Sequence, residues 1–320
     1  MLVLGLQGSP RKKGNTEILL SAFLEEAAAN GARTHPIRVA AKKLLPCQEC
    51  GTCERKGFCP LDDEMQGIYP LLWEADVIVA ATPIFFYGAT AQLKALIDRS
   101  QALWARRYTL GLTDPGRKWR KGLLLAVGAT KGKNLFEGTS MTAQYFFDAM
   151  GARFEGTLGY RKVEAAGDIQ HHPTALNEAR EKVRELVSPG LARKKVLFVC
   201  TENACRSQMA GAFAQFHGGD RVEASSAGSA PADEVNPLMK DVMAEKGIDM
   251  AYRRPQTLEE ATGKGPPDQI LLMGCGDQRP LFPGVPTEDW DIEDPADQSI
   301  DVMRRVRDEI EERVIGLLDK

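Results

Sequence analysis

Short apolar runs alternate with amphipathic stretches along this chain, and the alternation starts twice. In the first series, Leu2–Leu6, Ile37–Val39, Val77–Ala81, Leu123–Val127 and Phe154–Leu158 read as buried strands. Thr16–Asn30, Ala89–Leu103, Leu135–Met150 and Thr174–Val187 read as the helices between and after them. A second series opens at Lys195–Val199. It continues with a helix over Gln208–His217, a strand over Val222–Ser226, a helix over Asn236–Lys246, a strand over Gln269–Met273 and a terminal helix over Ser299–Leu318. Strands joined by helices run parallel and are covered on both faces. The expected fold class is therefore α/β, as two three-layer α/β/α domains, each with a mostly parallel sheet. Ser188-Pro189-Gly190 and the charged Arg193-Lys194-Lys195 mark the joint, which gives domains at 1–188 and 195–320.

Charge supports the division. Lys plus Arg number 41 and Asp plus Glu 44, a net of −3, which argues against a general nucleic-acid binder. Residues 1–190 carry +5 and residues 191–320 carry −8, an asymmetry that fits two domains of different origin. No apolar run approaches the roughly 20 residues that span a bilayer. Met1 leads straight into Leu2-Val3-Leu4-Gly5-Leu6 without a basic leader, so the expected location is cytoplasmic, with no membrane partner. The seven cysteines, at 47, 50, 53, 59, 200, 205 and 275, are odd in number and tightly clustered. That pattern points to metal or redox chemistry in a reducing compartment rather than to structural disulfides.

The most specific short pattern follows the first strand of the second series: Cys200-Thr201-Glu202-Asn203-Ala204-Cys205-Arg206-Ser207. In such a loop, backbone N–H groups and a helix N-terminus converge on a tetrahedral oxyanion, and Arg206 can grip it bidentately. The same positive field favours Cys200 as the nucleophilic thiolate. Ser207 can donate to it, and Asn203 can shape the loop. The bland alternative is a buried Cys that merely ends a strand. With Gln208-Met209-Ala210 and Ser226-Ala227-Gly228, this region resembles the low-molecular-weight tyrosine phosphatase fold over residues 195–318, and within it the thiol-dependent arsenate reductases. The resemblance implies that Asp294, in Asp294-Pro295, acts as general acid. It also implies that Cys275 is a resolving thiol that displaces arsenite from Cys200 and leaves a Cys200–Cys275 disulfide. Many members carry a further cysteine four residues on, where this chain has Arg279. The usual relay outward to thioredoxin is thus cut short. Cys205 reads as a small loop-packing residue, with disulfide exchange as its alternative role.

In the first half, Gly8-Ser9-Pro10-Arg11-Lys12-Lys13-Gly14-Asn15-Thr16 follows the first strand and opens a helix. It is either a phosphate cradle or a tight turn with Thr16 as N-cap. Thr82-Pro83-Ile84-Phe85-Phe86-Tyr87-Gly88 follows the third strand, where a planar ring could stack, and precedes Leu93-Lys94-Ala95-Leu96-Ile97-Asp98-Arg99. Over residues 1–160 these features resemble the flavodoxin-like NAD(P)H-dependent flavin reductases and the iron-sulfur flavoproteins. The resemblance implies FMN with its phosphate at Ser9, Arg11, Asn15 and Thr16. The ring is then flanked by Pro83, Ile84, Phe85 and Gly88, with a further contact near Gly128-Ala129-Thr130, and NAD(P)H is the electron donor. Flavin domains of this kind are often dimers or tetramers, so a homo-oligomer is expected. Cys47, Cys50, Cys53 and Cys59 supply four thiols within thirteen residues. They are open to three readings: a [4Fe-4S] cluster, a zinc ion, or free thiols, as in cluster-free relatives that carry an Asp-Asp-x-Met like Asp62-Asp63-Glu64-Met65 here. His171-His172 reads as an exposed turn pair, and Arg117-Lys118-Trp119-Arg120-Lys121 as a solvated approach to the fourth strand.

Together the halves point to an arsenate reductase that takes arsenate or phosphate as its oxyanion and has its thiols regenerated by the fused flavin domain. The alternatives are a low-molecular-weight phosphatase fused to a flavin reductase, and a redox sensor in which the state of the first domain gates oxyanion binding in the second.

Overall fold

The structure, a computed structural model, describes residues 1–263, 265–274 and 283–319. The chain divides into two units, Met1–Gly111 with Arg117–Leu191, and Leu112–Gly116 with Ala192–Lys320. Among the described residues no helix is long and apolar enough to cross a membrane.

The first unit holds β1 (Leu2–Gln7), β2 (Arg33–Arg38), β3 (Val77–Pro83), β4 (Lys121–Gly128) and β5 (Arg153–Arg161). They form one parallel sheet in the order β2-β1-β3-β4-β5. β1 and β3 are apolar on both faces because both faces are covered. Helices Asn15–Ala29 and Ala175–Leu186 pack Leu19, Phe23, Ala179 and Val183 against Val77, Val79, Leu123 and Leu125. β2 starts at Arg33, ahead of the apolar run that marks it in sequence, and carries Pro36. It is an edge strand, where proline and polar residues are tolerated. The single helix expected over 89–103 is two, Ala91–Arg99 and Gln101–Tyr108, divided at Ser100. A helix over Met65–Glu74, with Pro70 inside it, escapes the sequence pattern.

The basic run before β4 is a further correction. Arg120 is not solvated: it is 2% exposed and donates to the carbonyls of Ala75 and Met150 at 2.7 Å each, and to that of Trp73.

The second unit holds β6 (Lys194–Cys200), β7 (Val222–Gly228), β8 (Gln269–Leu272) and β9 (Thr287–Asp289), all parallel, in the order β7-β6-β8-β9. Its main core joins Phe198, Met209, Phe213, Met239, Val242, Met303, Val306 and Ile310 from β6 and the helices Arg206–Gly218, Pro237–Glu245 and Ile300–Leu318. Residues 112–116 belong here through backbone pairing, Thr113 N–H to Gly247 O at 2.7 Å and Asp249 N–H to Thr113 O at 2.9 Å. Both sheets place their first two strands and the next in the same order. The loops after β1 and β3, and those after β6 and β8, therefore part at a topological switch point, the usual ligand crevice of an open α/β sheet.

Candidate active site

The loop after β6 is built around Asn203. It is fully buried and sits at φ 52°, the left-handed region that asparagine tolerates better than most residues. Its N–H donates to Cys200 Sγ at 3.2 Å and its Nδ2 to Ser207 Oγ at 2.7 Å. Its Oδ1 accepts from Gln208 Nε2 at 3.0 Å and from Gln256 N–H at 2.9 Å. Ser207 Oγ in turn lies 3.0 Å from Cys200 Sγ. The sulfur is thus fixed from two sides, and the thiolate, the nucleophilic form of cysteine, can accept from both. Gly228 backs the loop: a Cβ there would come within 2.7 Å of Thr201 O and 3.0 Å of Asn203 N. The helix Arg206–Gly218 begins with no side-chain cap, its N-cap being Cys205, which leaves its first N–H groups for a bound anion. Cys205 is buried, and that burial, with Cys200 and Asp294 nearby, pushes its thiol up to about 12.

Arg206 is 5% exposed. Its Nη1 donates to Met273 O (2.9 Å), Ile292 O (3.1 Å) and Gly274 O (3.3 Å), and its Nη2 is paired with Asp294 Oδ2. Asp294 is half-exposed and also accepts from Ala296 N–H at 3.1 Å. The structure therefore brings Cys200, Asn203, Arg206, Ser207 and Asp294 together. Cys275 lies outside the described residues. Its neighbour Gly274, at φ 77°, would place a Cβ 2.9 Å from Ile292 O and 3.2 Å from Arg206 Nη1, so Gly274 itself lies against Ile292, beside Arg206. The carbonyl ring around Arg206 and the supports Gln256 and Ile292 were not legible in the sequence, because backbone acceptors carry no side-chain signature.

In the first unit, the loops after β1 and β3 are laced together. Gly8 N–H donates to Ala81 O at 2.8 Å, Thr90 Oγ1 donates to Gly8 O at 2.6 Å, and a Cβ on Gly8 would meet Leu93 at 2.9 Å. The N-cap of helix Asn15–Ala29 is Gly14, with no side-chain bond, so Thr16 is not the cap. Ser9 and Thr16 are buried, and Arg11 is exposed, with Nη1 3.4 Å from Glu164 O. Asn15 is otherwise engaged: its Nδ2 donates to Ala165 O, and its Oδ1 accepts from Gly167 and Ile169 N–H, which ties down the loop after β5. Pro83 ends β3, and Ile84 N–H donates to Val127 O at 2.8 Å. Phe85 and Gly88 exchange backbone hydrogen bonds of 3.0 Å, with Phe86 and Tyr87 at φ 49° and 61° between them. Bulky residues rarely occupy that region, and here they are half to fully exposed. An uncapped N-terminus on a fifteen-residue helix and a strained, exposed aromatic turn at one sheet end are the parts that FMN needs for its phosphate and its ring.

The four N-terminal thiols are different. Cys47 and Cys50 are exposed, Cys53 and Cys59 partly so, and none is in a disulfide. Hydrogen bonding with Thr52 holds Cys50 below the usual thiol range, whereas burial raises Cys53. Among the described residues no three His, Cys, Asp or Glu side chains stand where they could share a metal ion. The readings of Cys47, Cys50, Cys53 and Cys59 as a cluster site, a zinc site or free thiols are carried by the sequence alone. What the sequence missed is the clamp beneath them. Arg99 Nη1 donates to Leu45 O (3.0 Å) and Asp63 Oδ2 (2.6 Å), and Nη2 to Leu61 O (3.3 Å) and Asp63 Oδ1 (3.1 Å). The Ile-Asp-Arg and Asp-Asp-x-Met segments meet in this buried pair and hold both ends of the cysteine segment.

A phosphatase-type loop on one parallel sheet and a flavodoxin-type crevice on the other define the class. Residues 195–320 match the family model of low molecular weight phosphotyrosine protein phosphatases, and residues 1–154 that of NADPH-dependent FMN reductases. Over its second half the chain belongs with the arsenate reductases of that phosphatase family, and over its first half it is similar to the FMN reductases. The glutaredoxin arsenate reductase of Synechocystis sp. is 39% identical over 134 residues, which are 40% of this chain and 98% of that protein. The N-terminal half is similar to the iron-sulfur flavoprotein of Methanosarcina thermophila, 37% identical over 131 residues, 41% of this chain and 65% of that protein. The chain spans 53% of an iron-sulfur flavoprotein from Methanocaldococcus jannaschii, so it covers less than two thirds of these flavoproteins. Among solved structures, an arsenate reductase in the phosphate binding state is 37% identical over 39% of this chain and 97% of its own, with a TM-score of 0.36.

Proposed function

We propose that this protein is an arsenate reductase whose thiols are regenerated by its own flavin-binding half, with domains over 1–188 and 195–320. The observation that carries the reading is the Cys200 sulfur, held by Ser207 and the Asn203 N–H at an uncapped helix N-terminus. Arg206 stands beside it, and its carbonyl partners lead directly to the residue before Cys275.

Arsenate enters with two or more oxyanion charges and takes Arg206 Nη2 from Asp294. The freed Asp294 carboxylate takes up the proton that the Cys200 thiol gives up and then serves as general acid. Cys200 attacks arsenic, an As–O bond breaks, and the departing oxygen leaves as water with the proton from Asp294. The Cys275 thiolate attacks Cys200 Sγ. The S–As electron pair passes to arsenic, which leaves as arsenite, and the two thiols have become a disulfide with the loss of two electrons. FMN, when bound, would supply the matching two electrons, drawn as hydride from NAD(P)H. Ser9, Arg11 and the N–H groups opening helix Asn15–Ala29 would hold its phosphate. Asn15 and Thr16 shape that end of the crevice, and Pro83, Ile84, Phe85 and Gly88 would flank the ring. No step is assigned to Cys47, Cys50, Cys53 or Cys59. Self-supply of electrons fits the arginine at 279, where a third relay thiol would stand. Covalent linkage raises the effective concentration of one half for the other. A homo-oligomer and a cytoplasmic setting remain part of the proposal.

The test is anaerobic NADPH oxidation by the FMN-loaded protein on addition of arsenate, with arsenite quantified and no thioredoxin or small thiol present. One arsenite per NADPH over many turnovers is expected; no turnover without added thiol refutes the internal electron route. A phosphatase has no use for Cys275, so Cys275→Ser should halt arsenate reduction after one event. If that variant instead keeps hydrolysing p-nitrophenyl phosphate at a rate exceeding any arsenate turnover of the unmodified protein, the phosphatase reading replaces this one.

A further inference from the structure

The residue just ahead of the Gly8–Thr16 loop carries a donor that the protein itself leaves unused. Gln7, the last residue of β1, is 4% exposed. Its Oε1 accepts the Ser9 N–H. That bond settles which end of the amide is which, because a backbone donor needs the oxygen. The other end, Nε2, is buried and among the described residues has no hydrogen-bond partner. Buried side-chain donors are nearly always satisfied, since stranding one forfeits its bonds to water. An orphan of this kind beside a ligand loop points to a ligand that completes it. Gln7 belongs neither to the loop nor to the aromatic turn, so no motif marks it.

Its place in the fold says which kind of atom it meets. Successive residues of a strand face opposite sides of the sheet. A Cβ at Gly5 would meet Leu24 and Leu20 of helix Asn15–Ala29, at 2.7 and 3.3 Å, and Gln7, two residues on, faces that same helix. The helix runs back along β1 from the loop, so Gln7 lies towards its first turn. There the first intrahelical bond is Ile18 N–H to Gly14 O at 3.1 Å, and Gly14 caps with no side-chain bond. The N–H groups of residues 15–17 thus have no acceptor within the helix. Ser9 Oγ accepts the Arg11 N–H at 3.2 Å, which leaves its O–H to donate. The acidic residue of that turn, Glu17, accepts the Lys13 N–H at 2.7 Å. Amide, hydroxyl and helix N–H groups are all donors here, and a terminal phosphate, an anion that only accepts, suits them.

We infer that Gln7 is a cofactor-selecting residue of the first unit, its Nε2 donating to the terminal phosphate of FMN from the sheet side of the loop. The inference rests on reading that unit as FMN-binding. The two ends of the amide then have separate roles: the oxygen holds the loop through Ser9, and the nitrogen holds the phosphate. A flavin without a phosphate gives Nε2 nothing to bond, so Gln7 favours FMN over riboflavin.

The test separates those two ends in the full chain. Gln7→Glu keeps an oxygen for the Ser9 N–H and puts a second oxygen where Nε2 stands, whereas Gln7→Met has similar volume and removes both. Fluorescence titration of the flavin-free protein with FMN and with riboflavin reads affinity without catalysis. A lost charge-assisted hydrogen bond is worth about tenfold, so Gln7→Met should bind FMN about tenfold more weakly. Like charges set against each other cost more than a lost bond, so Gln7→Glu should weaken FMN by about 100-fold. Riboflavin affinity should be unchanged in both, which also checks that the ring site is intact. In the unmodified protein the Gln7 side-chain amide resonance, assigned by its loss in Gln7→Met, should shift with FMN and stay with riboflavin, a readout that does not need the glutamate variant to fold. FMN affinity that survives Gln7→Glu and falls only in Gln7→Met would assign Gln7 to loop support alone and overturn the inference. Equal losses of FMN and riboflavin, or a resonance that FMN leaves unmoved, would overturn it too. If the unmodified protein binds neither flavin, it is the FMN reading that fails, and the inference with it.

Discussion

Asn203 is the residue on which the thiol loop turns, and its replacement can be costed. Asn203→Ala removes three buried side-chain hydrogen bonds, to Ser207 Oγ, from Gln208 Nε2 and from Gln256 N–H. At roughly 0.5–1.5 kcal/mol net for each, the loss is about 1.5–4.5 kcal/mol. The Gln256 N–H is left without its side-chain acceptor, which moves the result towards the upper end. Alanine at φ 52° adds about 1 kcal/mol of left-handed strain, which Asn203→Gly does not incur. The glycine variant should therefore be less destabilised than the alanine variant by about 1 kcal/mol, although it makes the same contacts. Hydrogen exchange of peptides covering 196–214 in the full chain would read the local opening free energy. Single-turnover arsenate reduction would show whether the sulfur is still aimed. Both variants should be slow, because Ser207 is no longer held by Nδ2. If both retain opening free energies within 0.5 kcal/mol of the unmodified protein, the buried network does not support the loop and the reasoning is wrong.

Gly228→Ala should destabilise the second unit by about 1–3 kcal/mol, because its Cβ meets three backbone atoms that cannot swing away. Gly211→Ala, whose nearest neighbours would be 3.8 Å off, should be neutral or stabilising; urea unfolding of both variants checks the contrast, and equal effects would refute it. Asp63→Asn should cost about 3–5 kcal/mol by stranding Arg99, a pair only 0% and 7% exposed, seen as earlier unfolding of the first unit. Burial alone would raise the Asp63 carboxyl, but Arg99 and the N–H groups of Leu45 and Met65 outweigh it and hold it below the ordinary range. Its stabilisation is therefore full above about pH 4 and is lost as pH falls through the lowered folded value. The variant should lack that part of the acid dependence. Phe86→Gly should stabilise the turn by about 1 kcal/mol, since a fully exposed ring at φ 49° is being removed. It should nevertheless weaken FMN in a fluorescence titration; unchanged flavin affinity would show that the exposed ring does not serve the cofactor.

Local pattern carried much of this protein. β1, β3, β4 and β6 were legible because strands covered on both faces must be apolar throughout. The span from Cys200 to Ser207 was legible because an oxyanion loop needs its nucleophile, its arginine and its hydroxyl at set spacings along one turn. β2 was read short, since an edge strand needs no apolar signature and can carry Pro36. Arg120 was misread because a run of charges looks the same in sequence whether its carbonyl partners lie in solvent or, as at Ala75 and Met150, thirty or more residues away. The same holds for Arg99 with Asp63, and for Arg206 with Met273, Gly274 and Ile292.

The order of residues thus determined two parallel α/β units and which side chains carry chemistry, because periodicity and motif spacing act within a few turns of chain. Only the tertiary structure decided which groups those side chains meet. It turned Arg206 to Asp294 and committed Asn15 to the loop after β5. Each of these depends on strand order and loop closure between distant segments, and a linear pattern contains no term for either.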